Sequence, residues 1–226
     1  MQHSGSTIMP AFVMITTALS LLFLALLHIL SPEFEPAWRM VSEYALGEFA
    51  WVTSLFFLCW GISSILVAAK LWKLVTSKAS KIGVLLLFVS GVGASLAAVF
   101  DVSQPTEHGI AGLLGIPTVP VATLFITYHV SKKQAWMPYS KTLKLVAHLT
   151  WILLVLMIIA MVVMMTGFQN AGIEMGPGSP PPTHVPAGVI AVAGYVNRLL
   201  IVVDILWLII AARAINNISK SNFNNQ

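Results

Sequence analysis

Charged side chains are scarce in this sequence, and their scarcity decides the class of protein. Lys, Arg, Asp and Glu together make up 9% of the 226 residues, whereas 58% of the residues are hydrophobic. A soluble globular domain has about 25% charged residues. The composition therefore excludes an ordinary soluble domain and predicts an integral membrane protein.

Cysteine is almost absent, since Cys59 is the single one in the chain. One cysteine can form neither an intrachain disulfide nor a multi-cysteine metal site. A basic leader is also lacking: no Lys or Arg precedes the first apolar run. That run is longer than the apolar core of a signal peptide, which has roughly 7–15 residues. We therefore expect it to be retained as a helix.

Six apolar runs have the length of about 20 residues that a helix needs to cross a bilayer. They cover roughly residues 9–30, 50–70, 81–100, 110–130, 143–166 and 189–214. Helices satisfy their own backbone hydrogen bonds inside lipid. The sequence thus predicts an all-α fold, a single domain over residues 1–226 that forms a bundle of six transmembrane helices. A polar segment, residues 216–226, is expected to be a flexible cytoplasmic tail.

The few charges divide unevenly between the two ends of the predicted bundle. Ten of the 12 Lys and Arg residues fall in the connections after the second and fourth runs or near the C-terminus, and seven of the eight acidic residues fall at the opposite end or in its connections. By the positive-inside rule the basic end is cytoplasmic. We expect a multi-pass protein of the cytoplasmic (inner) membrane with both termini inside. The net charge of +4 then reflects topology and does not indicate a nucleic-acid partner.

The connection between the first two runs, residues 31–47, is polar and rich in acidic side chains. Pro36 suits the first turn of a helix, and the glutamates before it favour the positive end of the helix dipole. We expect a short helix over residues 36–45. Its apolar face would hold Trp38, Val41 and Ala45, and its polar face Arg39, Ser42 and Glu43. Such a helix would lie flat at the extracytoplasmic surface of the membrane.

Three further segments carry local signals. Small residues fill positions 90–95 of the third run, which predicts a close packing surface and a contact for a homo-oligomer. Pro117 and Pro120 should kink the fourth run and free carbonyls that must be satisfied inside the bundle. Residues 176–186 are rich in Pro and Gly, so we expect irregular backbone there, covering the outer face.

Three groups of residues resemble a known family. They are Ser31, Pro32, Pro36, Arg39, residues 41–47 (Val-Ser-Glu-Tyr-Ala-Leu-Gly) and Trp51; Phe100, Asp101, Pro105, His108 and Gly109; and residues 194–198 (Gly-Tyr-Val-Asn-Arg) with Trp207. Together they are similar to the bacterial and archaeal membrane family catalogued as domain of unknown function 998. The resemblance covers nearly the whole chain and implies a six-helix membrane protein without an assigned activity. A more distant likeness links the chain to the eukaryotic Frag1, DRAM and Sfk1 membrane proteins, which are connected with lipid handling and autophagy.

Most polar residues that call for an explanation gather at the outer end. The candidates for ligand binding are Arg39, Ser42, Glu43, Asp101, His108, Asn197, Arg198 and Asp204, with His28 nearby. Asp204 lies six residues beyond Arg198 and about 9 Å deeper, and a carboxylate at that depth should face the bundle interior. It could be part of a structural buried pair or a protonated acid that holds helices together, or it could contact a ligand, proton or ion. Arg198 could snorkel to the interface or clamp a phosphate or carboxylate.

The polar residues also suggest two other kinds of site, a metal site and a serine nucleophile. His28, His108, His184 and Asp101 could supply an N/O metal site, yet no two of them have the spacing of a helical pair, and we expect no metal or other cofactor. Ser42 has polar neighbours for a nucleophile, but no Gly-x-Ser-x-Gly motif surrounds it, so it could equally cap or pin the short helix.

These observations favour an uncharacterised membrane protein that binds or handles a lipid or small amphiphile in an extracytoplasmic polar pocket, with membrane lipids as partners. One alternative is a membrane-embedded hydrolase or lipid-modifying enzyme that uses Ser42 or a His108/Asp101 pair. A second alternative is a proton- or ion-coupled transporter that uses Asp204.

Overall fold

The computed structural model describes residues 5–173 and 182–224, and all regular structure in these residues is helical. The α-helices are α1 (Gly5–Leu30), α2 (Ala50–Leu74), α3 (Lys78–Ala97), α4 (Pro105–Gly115), α5 (Thr118–Val130), α6 (Met137–Asn170) and α7 (Ala193–Asn224). Two short 3₁₀ helices are Val41–Leu46 and Gln134–Trp136. The predicted all-α fold is confirmed.

Six helical segments are long and apolar enough to cross a membrane, as the sequence predicts. They are Ala11–Leu30, Ala50–Leu74, Lys78–Ala97, Pro105–Val130, Gln134–Asn170 and Ala193–Ser219. Some ends differ from the expected ones: the last span begins at Ala193, and its helix continues to Asn224 into the segment predicted as a tail. Residues 176–181 of the predicted irregular connection lie outside the described residues.

The predicted surface helix over residues 36–45 is not confirmed. Residues 36–39 form turns, and the short 3₁₀ helix Val41–Leu46 follows. Trp38, Val41 and Tyr44 are buried, with 5%, 1% and 0% of their surface exposed. One side of the segment is therefore packed into the protein core, while Glu43 and Leu46 remain partly exposed.

The backbone hydrogen bonds of this segment explain why no α-helix forms. A helix over residues 36–45 would bond the amide of residue 40 to Pro36 O, and the amide of Val41 to Ala37 O. Instead Pro36 O accepts from the Arg198 side chain, and Ala37 O accepts from the backbone N–H of Tyr195. Contacts with α7 thus replace the contacts of a local helix.

The fourth span is broken at Pro117, where α4 ends and α5 begins. Gly115 O, near the break, accepts a hydrogen bond from Ser90 Oγ of α3 at 2.8 Å. Thr118 Oγ1 at the start of α5 donates to carbonyls of the last turn of α4. The predicted interruption of the fourth run at Pro117 is confirmed, and Gly115 O beside it is satisfied inside the bundle.

The small residues of α3 pack inside the chain. A Cβ atom on Gly91 would lie 2.7 Å from Ile65 Cγ1 of α2, and one on Gly93 would lie 2.4 Å from the backbone nitrogen of Gly115 in α4. Helices can approach this closely only where side chains are absent. This face is therefore occupied by α2 and α4 of the same chain.

We predict that Gly93→Ala lowers the free energy of unfolding by roughly 1–3 kcal/mol, because the new methyl group meets rigid backbone and forces α3 and α4 apart. The matched control is Gly112→Ala on α4, where a Cβ meets nothing within 4 Å. Denaturant unfolding in detergent micelles measures both. Equal stability of the two variants would contradict the close approach of α3 and α4.

Candidate functional site

One end of the bundle holds residues 31–49, and we call it the acidic end. There the guanidinium group of Arg198 joins four segments. Arg198 is 8% exposed. Its Nη1 donates to the carbonyls of Pro36, Arg39 and Gly194, at 3.1, 2.7 and 2.9 Å. Its Nη2 donates to Tyr44 Oη at 2.9 Å, and its Nε donates to His28 Nε2 at 2.8 Å. A phosphate or carboxylate clamp at Arg198 would have to replace these bonds.

The ring of His28 is fixed at both nitrogens. Because Nε2 accepts from Arg198, the ring proton lies on Nδ1, which bonds to Leu24 O at 2.7 Å. A histidine that accepts in this way is neutral. The buried guanidinium is thus surrounded by neutral acceptors, and among the described residues no carboxylate lies within 4 Å of it.

The N-terminus of α7 is shaped to receive residues 36–41. A Cβ atom on Gly194 would lie 2.5 Å from Pro36 O, so only glycine allows the turn to approach. Asn197 Oδ1 accepts from the backbone N–H of Val41 at 3.1 Å, the first residue of the 3₁₀ helix. Together with Arg198, these residues bind backbone that would otherwise be unsatisfied in an apolar bundle.

Arg39 and Glu43 form an ion pair on the outer side of this segment, at 3.2 Å between Nη1 and Oε1. Glu43 also accepts from the backbone N–H of Met40 at 2.8 Å, while the Arg39 guanidinium lies 4.4 Å from the ring of Trp38. Their side chains are 11% and 24% exposed. Both residues stabilise the 3₁₀ helix from its open side.

A cavity of about 50 Å³ lies beside this network, between the 3₁₀ helix, α2, α3, α4 and α7. Space exists there because α3 and α4 face it with Gly and Ala residues. Its lining comprises Val41, Ser42, Phe57, Trp60, Gly93, Ala94, Ala97, His108, Ala111, Gly112, Gly115, Ile116, Asn197, Leu200, Ile201 and Asp204. A cavity needs roughly 10–15 Å³ for one water, so this one admits several waters or a small polar group.

Two buried polar groups that line the cavity lack partners. Asp204 is 1% exposed, and neither carboxylate oxygen has a hydrogen-bond partner in the described part of the protein. The same holds for the indole nitrogen of Trp60, which is 4% exposed. Leaving such groups unpaired in an apolar bundle is costly, most of all for a carboxylate. The structural pairing considered for Asp204 is therefore not seen.

The structure brings four of the eight candidate residues to the cavity: Ser42, His108, Asn197 and Asp204. Three others, Arg39, Glu43 and Arg198, hold the adjoining segment. Asp101 does not line the cavity; its carboxylate accepts from the backbone and hydroxyl of Ser103. Sequence reasoning missed Trp60 and Phe57, because an aromatic residue in an apolar helix has no distinguishing signal.

The described hydrogen bonds do not join Ser42 to a general base. The Glu43 carboxylate is engaged by Arg39 and Met40, and no hydrogen bond joins Ser42 to His108 in the described residues. His108 Nδ1 bonds to Phe100 O at 2.8 Å. The described residues also contain no cluster of three or more His, Cys, Asp or Glu side chains able to hold a metal ion.

We predict that Arg198→Lys lowers the free energy of unfolding by roughly 2–4 kcal/mol. The single ammonium nitrogen of lysine cannot donate to acceptors on four segments, as the three nitrogens of the planar guanidinium do. Amide hydrogen exchange of residues 36–46 should accelerate. Arg39→Lys, the control at the partly buried Arg39–Glu43 pair, should cost less than Arg198→Lys, because a lysine can still pair with Glu43. Unchanged exchange in Arg198→Lys would show that the buried network is not what holds the segment.

Comparison with known proteins assigns the chain to a family. No curated protein and no solved structure matches the sequence significantly. The family model described as "Protein of unknown function (DUF998)" matches residues 14–214. These residues include all three groups in which the sequence resembles that family, and the chain belongs to it.

Proposed function

We propose that this protein binds a small amphiphile in the cavity beside the acidic end and handles it within the membrane. The observation that carries the proposal is the Asp204 carboxylate, which is buried, unpartnered and part of the cavity wall. A buried polar group without a partner in the protein is accounted for when a ligand supplies one. By the charge distribution, the acidic end beside the cavity would face the extracytoplasmic side of the membrane.

The lining supports an amphiphile because polar and apolar walls lie side by side. Ser42, His108 and Asn197 line the cavity near the acidic end, whereas Leu200 and Ile201 contribute apolar surface. A cavity with a few placed polar groups and a largely apolar lining is typical of a small-molecule site. Its size suits the polar head of the ligand, while the apolar remainder would extend between helices into lipid.

A second candidate function is coupled transport, favoured by the break in the fourth span beside the cavity. Gly115 and Ile116, just before Pro117, belong to the cavity wall. Broken helices and a buried carboxylate recur at the ion and substrate sites of transporters. Proton flux into proteoliposomes, read with a trapped pH-sensitive dye, should then fall in Asp204→Asn. Flux equal to that of the wild type would reject this second candidate.

For the binding proposal, we predict that Gly112→Val removes most of the amphiphile that copurifies with the protein. A Cβ at position 112 meets nothing within 4 Å, so the side chain would occupy cavity space without a backbone clash. Organic extracts of the protein purified in a mild detergent, quantified by mass spectrometry per mole of protein, measure the loss.

The matched control is Gly109→Val, one turn earlier on the same helix. Its Cβ also meets nothing within 4 Å, but residue 109 is exposed and does not line the cavity. This variant should retain as much amphiphile as the wild type. Equal retention in all three proteins, or no retained amphiphile in the wild type, would contradict binding in the cavity.

A further inference from the structure

We propose that the amphiphile carries a protonated amine head with a hydroxyl or ester oxygen beside it, and that Asp204 and Trp60 recognise these two groups. This inference rests on the proposed binding function and specifies the chemistry of its ligand. Two observations support it. The Asp204 carboxylate and the Trp60 indole nitrogen in the cavity wall lack partners, and no Lys or Arg is among the described residues that line the cavity.

A donor with positive charge would satisfy the Asp204 carboxylate in its ionised form. Both of its carboxylate oxygens are unpartnered at 1% exposure. An isolated carboxylate inside an apolar bundle is strongly disfavoured, and a cation is the group that offsets most of this cost. A protonated amine supplies both the charge and the N–H donors.

The aromatic wall favours an organic cation over a metal ion. Phe57 and Trp60 line the cavity as a stacked pair, with ring centroids 6.5 Å apart and an angle of 17° between the rings. Aromatic faces attract alkylammonium groups, whereas hard metal ions require several oxygen ligands. Few oxygens are offered here, and Asn197 Oδ1 already accepts from Val41.

An anionic head is not favoured by the same wall. None of the described residues that line the cavity is Lys or Arg. The nearby Arg198 directs its donors to protein acceptors, and Arg39 pairs with Glu43. A phosphate or sulfate would therefore meet the Asp204 carboxylate without a compensating cation.

Trp60 adds a requirement for an acceptor on the ligand. Its indole N–H is buried and has no partner in the described residues, and an ammonium group has no lone pair to offer. An oxygen near the amine would accept from this N–H. The two unpartnered groups thus select an amino alcohol or amino ester in preference to a simple amine.

The inference is tested with short probes of one chain length on the full protein in lipid nanodiscs. Octylammonium, octanol, octyl sulfate and an octylamine with a hydroxyl group next to the amine-bearing carbon are titrated by calorimetry, with empty nanodiscs as the blank. The wild type should bind the hydroxylated amine most tightly, then octylammonium, and octyl sulfate most weakly. This order needs no variant and so does not depend on the folding of a mutant.

Variants then assign the two contacts. Asp204→Asn should weaken octylammonium binding roughly tenfold or more, because a charged hydrogen bond is lost, and should leave octanol unaffected. The matched control Asp101→Asn changes a carboxylate outside the cavity and should alter neither. Trp60→Phe should remove only the advantage of the hydroxylated amine over octylammonium.

The outcomes separate this inference from the proposed function. Octyl sulfate or octanol binding as tightly as octylammonium, or octylammonium affinity unchanged in Asp204→Asn, would overturn the amine assignment. If Gly112→Val still weakened every probe in that case, binding in the cavity would stand. Binding of none of the probes to the wild type would overturn both.

Discussion

The burial of one positive charge, on Arg198, is the constraint on which the acidic end of this protein depends. A guanidinium group inside an apolar bundle is tolerated only if its donors are satisfied. Here the acceptors are the carbonyls of Pro36, Arg39 and Gly194, the Tyr44 hydroxyl and the neutral His28 ring. Arg198 in turn satisfies the carbonyls of Pro36 and Arg39, which do not accept hydrogen bonds within a local helix. Helix α7, helix α1 and residues 36–44 therefore hold one another in place.

This network gives a physical reason for the sequence group at residues 194–198. Gly194 permits the close approach of the turn, the Tyr195 amide bonds to Ala37 O, and Asn197 bonds to the amide of Val41. With residues 36–41 fixed on α7, Ser42 and Asn197 both become part of the cavity wall. Asp204, two turns further along α7, is left facing open space instead of a partner.

Much of the fold could be predicted from the sequence because it depends on local composition. Hydrophobic runs predicted the six spans, Pro117 located the break between α4 and α5, and the depth of Asp204 predicted that its carboxylate faces the bundle interior. The conformation of residues 36–45 could not be predicted in this way. The groups on α7 that bind the backbone of this segment lie more than 150 positions away in the sequence. A local helical pattern does not indicate such long-range contacts. The unpaired Trp60 was equally hidden, because only the folded cavity distinguishes it from other aromatic residues.

The central claim is that the cavity holds a ligand that completes the unpaired carboxylate of Asp204. Native mass spectrometry of the wild-type protein, released intact from a mild detergent, tests it most directly because bound mass and stoichiometry are read together. The account predicts one tightly held amphiphile per chain, with a mass that fits an amine-bearing head. A bare protein, or a heterogeneous series of phospholipid adducts without a defined stoichiometry, would contradict it.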